Sequence, residues 1–413
     1  MATTGREFFT VKNVAQALAE FRPGHITPVE TVSLGAAYGR VPDTVVVAGD
    51  SLPGFDRSSV DGYAVRARDT FGASESIPGY LRVIGAVRMG AGASAEVAPG
   101  AAVAIPTGGM LPRGADAVVM VEHTQEATAE TVEVVRPVAP GENVIRFDED
   151  AAAGAPLAPG GRPLRAQDVA MLAAAGVVEV ASHARPRVTI LATGDEIVPP
   201  DTPALLPGQV RDALSVSVGA LVRAAGGVVA APPRIVPDDD GALLDALRDA
   251  VAASDVVVIC AGSSVGMRDQ TAGAVAALPN SETWCHGLAI KPGKPTLLAH
   301  SDGIPIIGLP GNPRSALVIF RLIGMPIVRR AGGWKVEPVA GTIRATLARD
   351  LPSAAGRLDV VQVRLDVHEG LAEPIFGSSA LLSVLTAADG YVIVPEDANG
   401  LSAGEPVEVF PYG

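Results

Sequence analysis

The segment that most constrains the fold is the apolar run Val256–Cys260, which leads into the small-residue loop Gly262-Ser263-Ser264-Val265-Gly266. Consecutive apolar, mostly β-branched residues are typical of a strand covered on both faces, as in a parallel sheet. Ligands of open α/β sheets bind at the carboxyl ends of such strands, where glycine amides and serine hydroxyls suit an oxyanion. The segment predicts an anion site, with Arg268 as a cation and Asp269 as a candidate Mg²⁺ ligand. For this loop alone, a plain strand-to-helix connection is the alternative.

Two further strand ends carry similar residues. Thr193-Gly194-Asp195-Glu196 follows the apolar run 188–192, and Pro310-Gly311-Asn312 follows the predicted strand 305–308. Because the carboxyl ends of parallel strands share one edge of a sheet, we expect the three segments to converge on one crevice.

A pair of lysines lies between the last two of these segments. Lys291 and Lys294 belong to the run Ile290-Lys291-Pro292-Gly293-Lys294-Pro295. The prolines stiffen the loop, so the ammonium groups can be held in place for phosphate or another oxyanion. Solvated surface lysines are the alternative, but their position between apolar strands favours binding.

Composition limits the possible classes of protein. A chain of 413 residues is too long for one ordinary core, so two to four domains are expected. A net charge of −13 and 4% aromatic residues argue against a nucleic-acid or anionic-membrane binder. No apolar run reaches membrane-spanning length, the N-terminus lacks a secretory pattern, and the two cysteines, Cys260 and Cys285, fit no metal or disulfide spacing. We therefore expect a soluble cytoplasmic protein.

The order of predicted elements indicates several domains. Helices are expected near 10–21, Glu30–Tyr38 and Arg165–Gly176, with the last packing against the first two. Short strands between 81 and 138 indicate a small β domain, and short strands after residue 338 indicate a β barrel. Between them, strands (187–192, 228–236, 256–260, 296–299, 305–308) and helices (213–225, 239–253, 271–278, 314–331) alternate throughout, which predicts a parallel sheet. The expected division is a helical linking domain (1–50 and 146–184), an inserted β domain (51–145), a doubly wound parallel α/β domain (185–331) and a C-terminal β barrel (332–413).

Six stretches together resemble the molybdopterin molybdenumtransferase family, which includes the C-terminal domain of gephyrin. Their order and spacing agree over nearly the whole chain, and the last three together are the most specific. They are Pro53-Gly54-Phe55-Asp56-Arg57-Ser58-Ser59-Val60-Asp61-Gly62-Tyr63-Ala64, Thr107-Gly108-Gly109, Thr193-Gly194-Asp195-Glu196, Gly262-Ser263-Ser264-Val265-Gly266, Lys291-Pro292-Gly293-Lys294-Pro295 and Leu309-Pro310-Gly311-Asn312-Pro313.

The resemblance implies an elongated homodimer of four-domain subunits, with a cleft between the α/β domain of one subunit and the β domain of the other. It implies Mg²⁺-dependent insertion of molybdate or tungstate into adenylyl-molybdopterin, with release of AMP. Two alternatives keep the fold: a catalytically weakened, gephyrin-like scaffold that binds partner proteins, and a protein that binds molybdopterin without inserting metal. Other proteins of molybdenum cofactor biosynthesis are further possible partners.

The resemblance also assigns residues. From the residues alone, Asp61, Asp150 and Asp238 are typical of a turn, a solvated loop and a helix start. The family's functional positions fall on Asp61, Thr107, Asp150, Glu196, Asp238, Asp269 and Lys291. With Lys294 added for its charge, these form the expected catalytic set, in which Glu196 and Asp269 hold the metal. The expected substrate-binding set is Thr193, Gly194, Asp195, Asp212, Gly262, Ser263, Ser264, Gly266, Pro310, Gly311 and Asn312.

The chain departs from the commonest family pattern at four positions. Ile145 stands where many members have arginine, Asp148 and Ala261 each replace a glycine, and Leu214 replaces an amide. These changes bear on molybdate affinity and loop conformation, and they favour the scaffold alternative. Retention of both lysines and of the matched acidic positions favours an enzyme.

Overall fold

The computed structural model of the chain describes residues 11–128, 130–261, 265–339 and 341–412, with side chains at all of these except 240 and 265–269. No helix in this part of the chain is both long enough and apolar enough to cross a membrane. The α-helices in these ranges are α1 (Val14–Glu20), α2 (Ala166–Ala174), α3 (Leu214–Ala224), α4 (Asp240–Ala253), α5 (Val265–Ala276), α6 (Pro313–Ile319), α7 (Met325–Ala331) and α8 (Leu382–Thr386).

A seven-stranded sheet forms the centre of the α/β unit. Its strands are β1 (Arg187–Thr193), β2 (Val228–Val229), β3 (Arg234–Val236), β4 (Val256–Cys260), β5 (Ser281–His286), β6 (Leu297–Ser301) and β7 (Ile304–Leu309). The spatial order is β2-β1-β4-β7-β6-β5, and β3 also pairs with β1. The pairs β1–β2, β1–β3, β1–β4 and β4–β7 are parallel.

The sheet is covered on both faces, as its apolar strands predict. Alternate residues of β4 enter different cores: Val256 and Val258 pack with α3, α6 and α7, whereas Val257 and Ile259 pack with α4 and α5. All five residues of β4 are buried. Full burial of an apolar side chain contributes roughly 1.5–3 kcal/mol, so this strand anchors the unit.

One strand of the sheet reverses direction, which corrects the expectation that strand and helix alternate throughout. β6 is antiparallel to both of its neighbours, β5 and β7. The cause is the tight turn at Asp302 and Gly303, where both φ angles are positive (51° and 79°). Such a turn joins antiparallel strands directly, with no crossover helix.

The inserted β unit is a six-stranded sheet with a small two-stranded sheet beside it. Its spatial order is Ala117–Met120, Gly62–Val65, Ala101–Ile105, Gly79–Ala86, Thr131–Val134 and Thr124–Thr128. Arg57–Ser58 pairs with Val144–Ile145 next to it. The loops that carry the family-like motifs of this unit therefore leave one small region.

The linking region is built differently from the prediction. Glu30–Tyr38 was expected to be helical, but Val29–Ser33 is a strand that pairs with Glu179–His183, followed by a 3₁₀ turn at Leu34–Ala36. The β-branched residues of this strand favour extended structure once a partner strand is present. Helix α2 packs against the 3₁₀ turn, whereas Val14 and Ala17 of α1 and the following Phe21 are buried in the α/β core. Gly176 ends the α2 segment with φ +76°, as predicted. In the same region, Val46–Val47 pairs with Pro156–Ala158.

Asp168 organises the start of α2. Its carboxylate accepts hydrogen bonds from Arg162 (2.7 and 2.9 Å), Arg165 (3.0 and 3.1 Å) and the Arg165 backbone amide (2.8 Å). The side chain is 6% exposed. These partners, the Arg162 hydrogen bond above all, outweigh burial and hold the pKa of Asp168 well below its usual range.

The C-terminal unit is a closed barrel, as predicted. Its strands Leu358–Asp366, Leu371–Pro374, Ile343–Leu347, Pro406–Pro411 and Gly390–Val394 pair in that order, and the last pairs again with the first. Ile290–Lys291 adds to the barrel by pairing with Leu358 and Asp359. The lysine loop of the α/β unit is thus attached to the barrel. The short pair Leu351–Pro352 and Gly400–Leu401 lies beside it.

Several predicted boundaries are wrong for local reasons. The predicted strand 228–236 is split into β2 and β3 because Pro232 and Pro233 lack the amide that a ladder needs. Helix α5 begins at Val265 instead of 271, so Gly266 lies in a helix. The predicted helix 314–331 contains a π-helical turn at Phe320–Gly324. Strands β5 and Gly390–Val394 were missed.

Candidate functional site

The carboxyl ends of three strands lie side by side, as the sequence predicted. Ala192 of β1 pairs with Cys260 of β4, which pairs with Leu309 of β7. Neighbouring strands lie about 4.8 Å apart, so the outer two strand ends are about 10 Å apart. The segments beginning at Thr193, Ala261 and Pro310 therefore leave one edge of the sheet together.

The lysine loop reaches the same edge. β6 runs antiparallel, so its first residue, Leu297, lies opposite Gly308 near the end of β7. Lys291 and Lys294 line a cleft of about 540 Å³ together with Pro310 and Asn312. The two motifs that the resemblance linked are therefore in one cavity.

The backbone of the lysine loop depends on its glycine. Gly293 has φ +120°, and a Cβ there would lie 2.4 Å from a side-chain carbon of Ile319. Only glycine permits both this conformation and the close packing on α6. The Lys291–Pro292 peptide bond is cis.

The cleft is positively charged. Lys291 lies 3.8 Å from the buried Asp359, which also accepts a 2.8 Å hydrogen bond from Arg357. Lys294 is exposed and has no carboxylate within ion-pair distance among the described residues. The cleft therefore concentrates cations on a chain whose net charge is −13.

The barrel contributes residues that sequence reasoning missed. Gly356, Arg357, Gly377 and Ser379 line the cleft, and so does Arg314 of α6. The Asn312 amide donates to the Ser379 hydroxyl (3.1 Å). Among these residues, only Arg314 had a local sequence signal, because it is a basic residue directly after Asn312-Pro313. The other residues come from segments more than 40 positions away.

A group of acidic residues lies at the β1 end of the same edge. The Asp238 backbone amide donates to Asp195 Oδ1 (3.1 Å), and the Glu196 carboxylate folds back over Gly194. Asp238 is largely exposed, but the pKa of its carboxyl group is raised. The main cause is that the carboxyl group is partly shielded from water, and the charges of Asp195 and Glu196 add to it. The mutual repulsion of these carboxylates is what a bound cation would relieve.

Mg²⁺ fits this group only if the substrate supplies some of its ligands. No three His, Cys, Asp or Glu side chains converge as a metal site within the described part of the chain. Mg²⁺ typically takes one or two protein carboxylates and completes its shell with waters and substrate phosphates. Glu196 meets that requirement, whereas the side chain of Asp269 lies outside those described.

Two further predicted residues border this edge. Thr193 is 2% exposed, and its hydroxyl oxygen has no hydrogen-bond partner among the described residues. Asp212 is buried and accepts a 2.9 Å hydrogen bond from the Ser215 amide at the start of α3. Burial, and to a smaller extent the charge of Asp212, raises the pKa of Cys260 to about 12.

Replacing Asp238 with asparagine should stabilise the fold at neutral pH. A raised carboxyl pKa penalises the folded state above the folded pKa, and the penalty vanishes below the unfolded one. We expect a higher melting temperature, by on the order of 1 °C for a partly exposed charge, with the gain lost on acidification below the ordinary aspartate pKa. Thermal denaturation between pH 3 and 8 measures this, with the exposed Asp201→Asn as control. A gain that grows on acidification would contradict it.

The acidic motif of the β unit forms a second cluster. Asp61 Oδ1 accepts hydrogen bonds from the Thr107 amide (2.7 Å) and hydroxyl (3.1 Å). A Cβ on Gly62 would lie 1.9 Å from the Val119 carbonyl oxygen, so only glycine can follow Asp61 in this strand. Asp150 is held by a different contact, because its amide donates to the Leu52 carbonyl (2.9 Å).

The two acidic clusters share no hydrogen bond or ion pair among the described residues of one chain. Among the described residues, no hydrogen bond or ion pair joins residues 53–150 to the α/β unit. Asp61, Thr107 and Asp150 are therefore not brought to the cleft by any bond of their own subunit.

Some predicted residues cannot be placed. Gly262, Ser263 and Ser264 lie outside the described residues, and so does the side chain of Asp269. Gly266 was expected in the anion-binding loop but lies in the first turn of α5, because the helix starts earlier than predicted. Gly311 lies in the turn between β7 and α6.

Three regions of the chain match known families in order. Residues 11–176 match "MoeA N-terminal region (domain I and II)", residues 189–330 match "Probable molybdopterin binding domain" and residues 344–412 match "MoeA C-terminal region (domain IV)". A Mycobacterium tuberculosis protein named Molybdopterin molybdenumtransferase 2 is 34% identical over 388 residues, which cover 92% of this chain and 94% of that protein. The chain belongs to the molybdopterin molybdenumtransferase family.

Other family members agree. A Molybdopterin molybdenumtransferase of Bacillus subtilis is 31% identical over 92% of this chain and 89% of its own length. The crystal structure of the MoeA molybdopterin biosynthesis protein from Pyrococcus horikoshii OT3 superimposes with a TM-score of 0.83 at 31% identity, covering 97% of this chain and 100% of that one. The predicted family, its enzymatic class in molybdenum cofactor biosynthesis and the multidomain fold are confirmed.

The departures from the commonest pattern of the molybdopterin molybdenumtransferase family are accommodated locally. Asp148 has φ +57°, a conformation that glycine adopts without cost and aspartate tolerates better than most residues. Ala261 is buried, and Ile145 extends the short strand that pairs with Arg57. Leu214 begins α3 and packs against the α/β core. None of the four disturbs the sheet edge.

Proposed function

We propose that the chain inserts molybdate or tungstate into adenylyl-molybdopterin with release of AMP. Water adds to the adenylyl phosphorus as the phosphoanhydride bond breaks, so AMP leaves and molybdopterin keeps its own phosphate. The two thiols of molybdopterin then bind the metal, and one oxygen of the metal oxyanion leaves with the two thiol protons as water. Both substrates are anions, so a site for this reaction must offset their repulsion.

The observation that carries the proposal is the shared sheet edge. The cationic cleft with Lys291 and Lys294 lies at the end of β7, and the acidic group with Glu196 lies at the end of β1, about 10 Å across the sheet. Fixed cations can hold an oxyanion, while carboxylates across the edge can hold a divalent ion at the pyrophosphate. A single substrate with two phosphates and a flat ring system can span this distance.

Residue roles follow from these positions. Lys294 and Lys291 neutralise oxyanion charge, and Pro310-Gly311-Asn312 borders the pterin or nucleotide. Glu196 and Asp269 hold Mg²⁺, which supplies charge neutralisation at the phosphates when bound. Asp195 and Asp238 place further negative charge beside Glu196, which favours a bound cation. The buried Asp212 fixes the start of α3 beside the site.

We further propose a cytoplasmic homodimer. Asp61, Thr107 and Asp150 form no hydrogen bond or ion pair with the α/β unit of their own subunit among the described residues, so they are available to complete the cleft of a second subunit. Closed two-fold dimers are the commonest assemblies, and they would produce two such clefts.

The decisive experiment measures AMP release by the purified protein from adenylyl-molybdopterin, with Mg²⁺ and molybdate. We expect turnover that depends on both, and a loss of about 100-fold or more in Glu196→Gln and in Asp269→Asn, because each change removes charge from the metal site. Glu179→Gln, an exposed residue of the linking region, is the matched control. Unaffected turnover in both active-site variants would refute the assigned roles.

The same assay distinguishes the alternatives. A protein that binds adenylyl-molybdopterin and releases no AMP under any metal condition is a binding protein. A protein that binds neither substrate but retains the fold is a scaffold.

A further inference from the structure

Arg314 is a buried cation at the wall of the cleft. It lies in the first turn of α6, directly after the Asn312-Pro313 turn, and is only 9% exposed. Arg314 lines the same cleft as Lys291 and Lys294. Its position directly after Asn312-Pro313 is its only sequence signal, and none of the six family-like stretches includes it.

Arg314 also contacts the barrel. Its Nη1 donates to the Gly377 carbonyl (2.9 Å), and its backbone amide donates to the Ser379 carbonyl (3.1 Å). The Ser379 hydroxyl accepts from Asn312. The barrel segment 377–379 is thus held on the Asn312 turn by three bonds, two of them from Arg314.

The charge of Arg314 is not balanced. Arg357 and Lys291 share the carboxylate of Asp359, but no carboxylate lies within ion-pair distance of Arg314 among the described residues. Its buried Nε has no hydrogen-bond partner there either. Burial lowers the pKa of Arg314 from its ordinary value, because removal from water disfavours the charged form. The guanidinium nevertheless remains protonated.

A buried, unpaired charge is unfavourable for folding, so its retention needs a compensating anion. The cleft that Arg314 borders has room for one. Gly377 and Ser379 also line that cleft, and the Gly377 carbonyl occupies only one of the guanidinium's donors, Nη1.

We infer that Arg314 supplies the unneutralised charge against which an oxyanion binds in the cleft, and that this binding fastens barrel segment 377–379 onto the Asn312 turn. The inference rests on the proposed function in one respect, namely that the cleft accepts an oxyanion. Anion binding and attachment of the segment are then reciprocal: each strengthens the other by the same factor. Arg314 is a binding and positioning residue.

The test uses the full chain with molybdate and inorganic pyrophosphate as probes. Calorimetry should show that Arg314→Met weakens binding of at least one probe by about 10- to 100-fold, the worth of one charge-assisted hydrogen bond. Arg314→Lys should recover part of the affinity. The exposed Arg349→Met, which removes an arginine from the barrel surface, is the control and should bind normally.

Two further readouts separate this role from a structural one. The melting temperature of the ligand-free Arg314→Met protein should stay equal or rise, because an unpaired buried charge is removed. In the unaltered protein, the bound probe should slow hydrogen exchange of amides 377–382, and Arg314→Met should abolish that protection.

Equal probe affinity in Arg314→Met, or equal protection of segment 377–382, would overturn the inference, and so would failure of the unaltered protein to bind either probe. If Arg314→Met changes neither probe affinity nor protection, but the unaltered protein releases AMP, the inference fails and the proposed reaction stands. Arg314-dependent probe binding without AMP release would instead remove the reaction and leave an anion-binding cleft.

Discussion

Two inactive variants, Asp61→Asn and Glu196→Gln, are expected to recover about a quarter of the unaltered AMP-releasing activity when they are coexpressed in one cell. Each variant alone should lose about 100-fold or more. With random pairing, half of the dimers are mixed, and a mixed dimer has one cleft with both carboxylates intact and one with neither. The physical basis is that no hydrogen bond or ion pair among the described residues joins Asp61 to the Glu196 group within a chain.

The measurement is the specific activity of the copurified mixture, with differently tagged subunits so that mixed dimers can be isolated. Isolated mixed dimers should then show about half of the unaltered activity. Coexpression of Glu196→Gln with Asp269→Asn is the control. It should recover no activity, because both residues belong to the same α/β unit and each cleft of a mixed dimer then lacks one of them. Absence of recovery in the first mixture would show that the Asp61 cluster does not complete the cleft of a second subunit.

Replacing Asp168 with alanine is expected to lower the free energy of unfolding of the linking region by about 2–3 kcal/mol. The substitution removes the acceptor of Arg162 and Arg165 and leaves two cations facing each other at the start of α2. The estimate is below that for a fully buried pair because the Arg165 side chain is 58% exposed. Urea denaturation followed by circular dichroism measures it.

The pH dependence of this effect has a definite sign. A depressed carboxyl pKa contributes stability above the unfolded pKa, which for aspartate is about 3.9, and the contribution is lost as pH falls through the folded value. The difference between the two proteins should therefore be constant at neutral pH and should shrink only in strong acid. Asp245→Ala, which removes an exposed partner of Arg248 with the same sequence spacing, should cost less than about 0.5 kcal/mol. A difference that persists undiminished in strong acid would contradict the assignment.

The parts of the fold that were predictable from sequence are those fixed by local patterning. The apolar run 256–260 specifies a buried strand because every residue must be covered, and polar residues at three strand ends must then share an edge. The helix predicted at Glu30–Tyr38 failed because Val29–Ser33 is held by Glu179–His183, about 150 positions away. A partner so distant leaves no trace in a local pattern.

The site follows the same division. The location of Glu196, Lys291 and Asn312 at one sheet edge was predictable, because each follows directly from a strand or lies in a proline-bounded loop, whereas their roles stay predictions. Arg357 and Ser379 were not, because they reach the cleft only through the docking of the barrel. Arg314 had a local signal, but its burial and its missing counter-ion depend on that docking too.

The reversed direction of β6 decides where the cations of this protein lie. A strand of five residues is about 17 Å long, so a parallel strand in the same place would begin at the far edge of the sheet. The connection carrying Lys291 and Lys294 would then end a full strand length from Asn312. A single tight turn at residues 302–303 therefore determines whether the two lysines and the Asn312 turn share one cleft or lie at opposite ends of the domain.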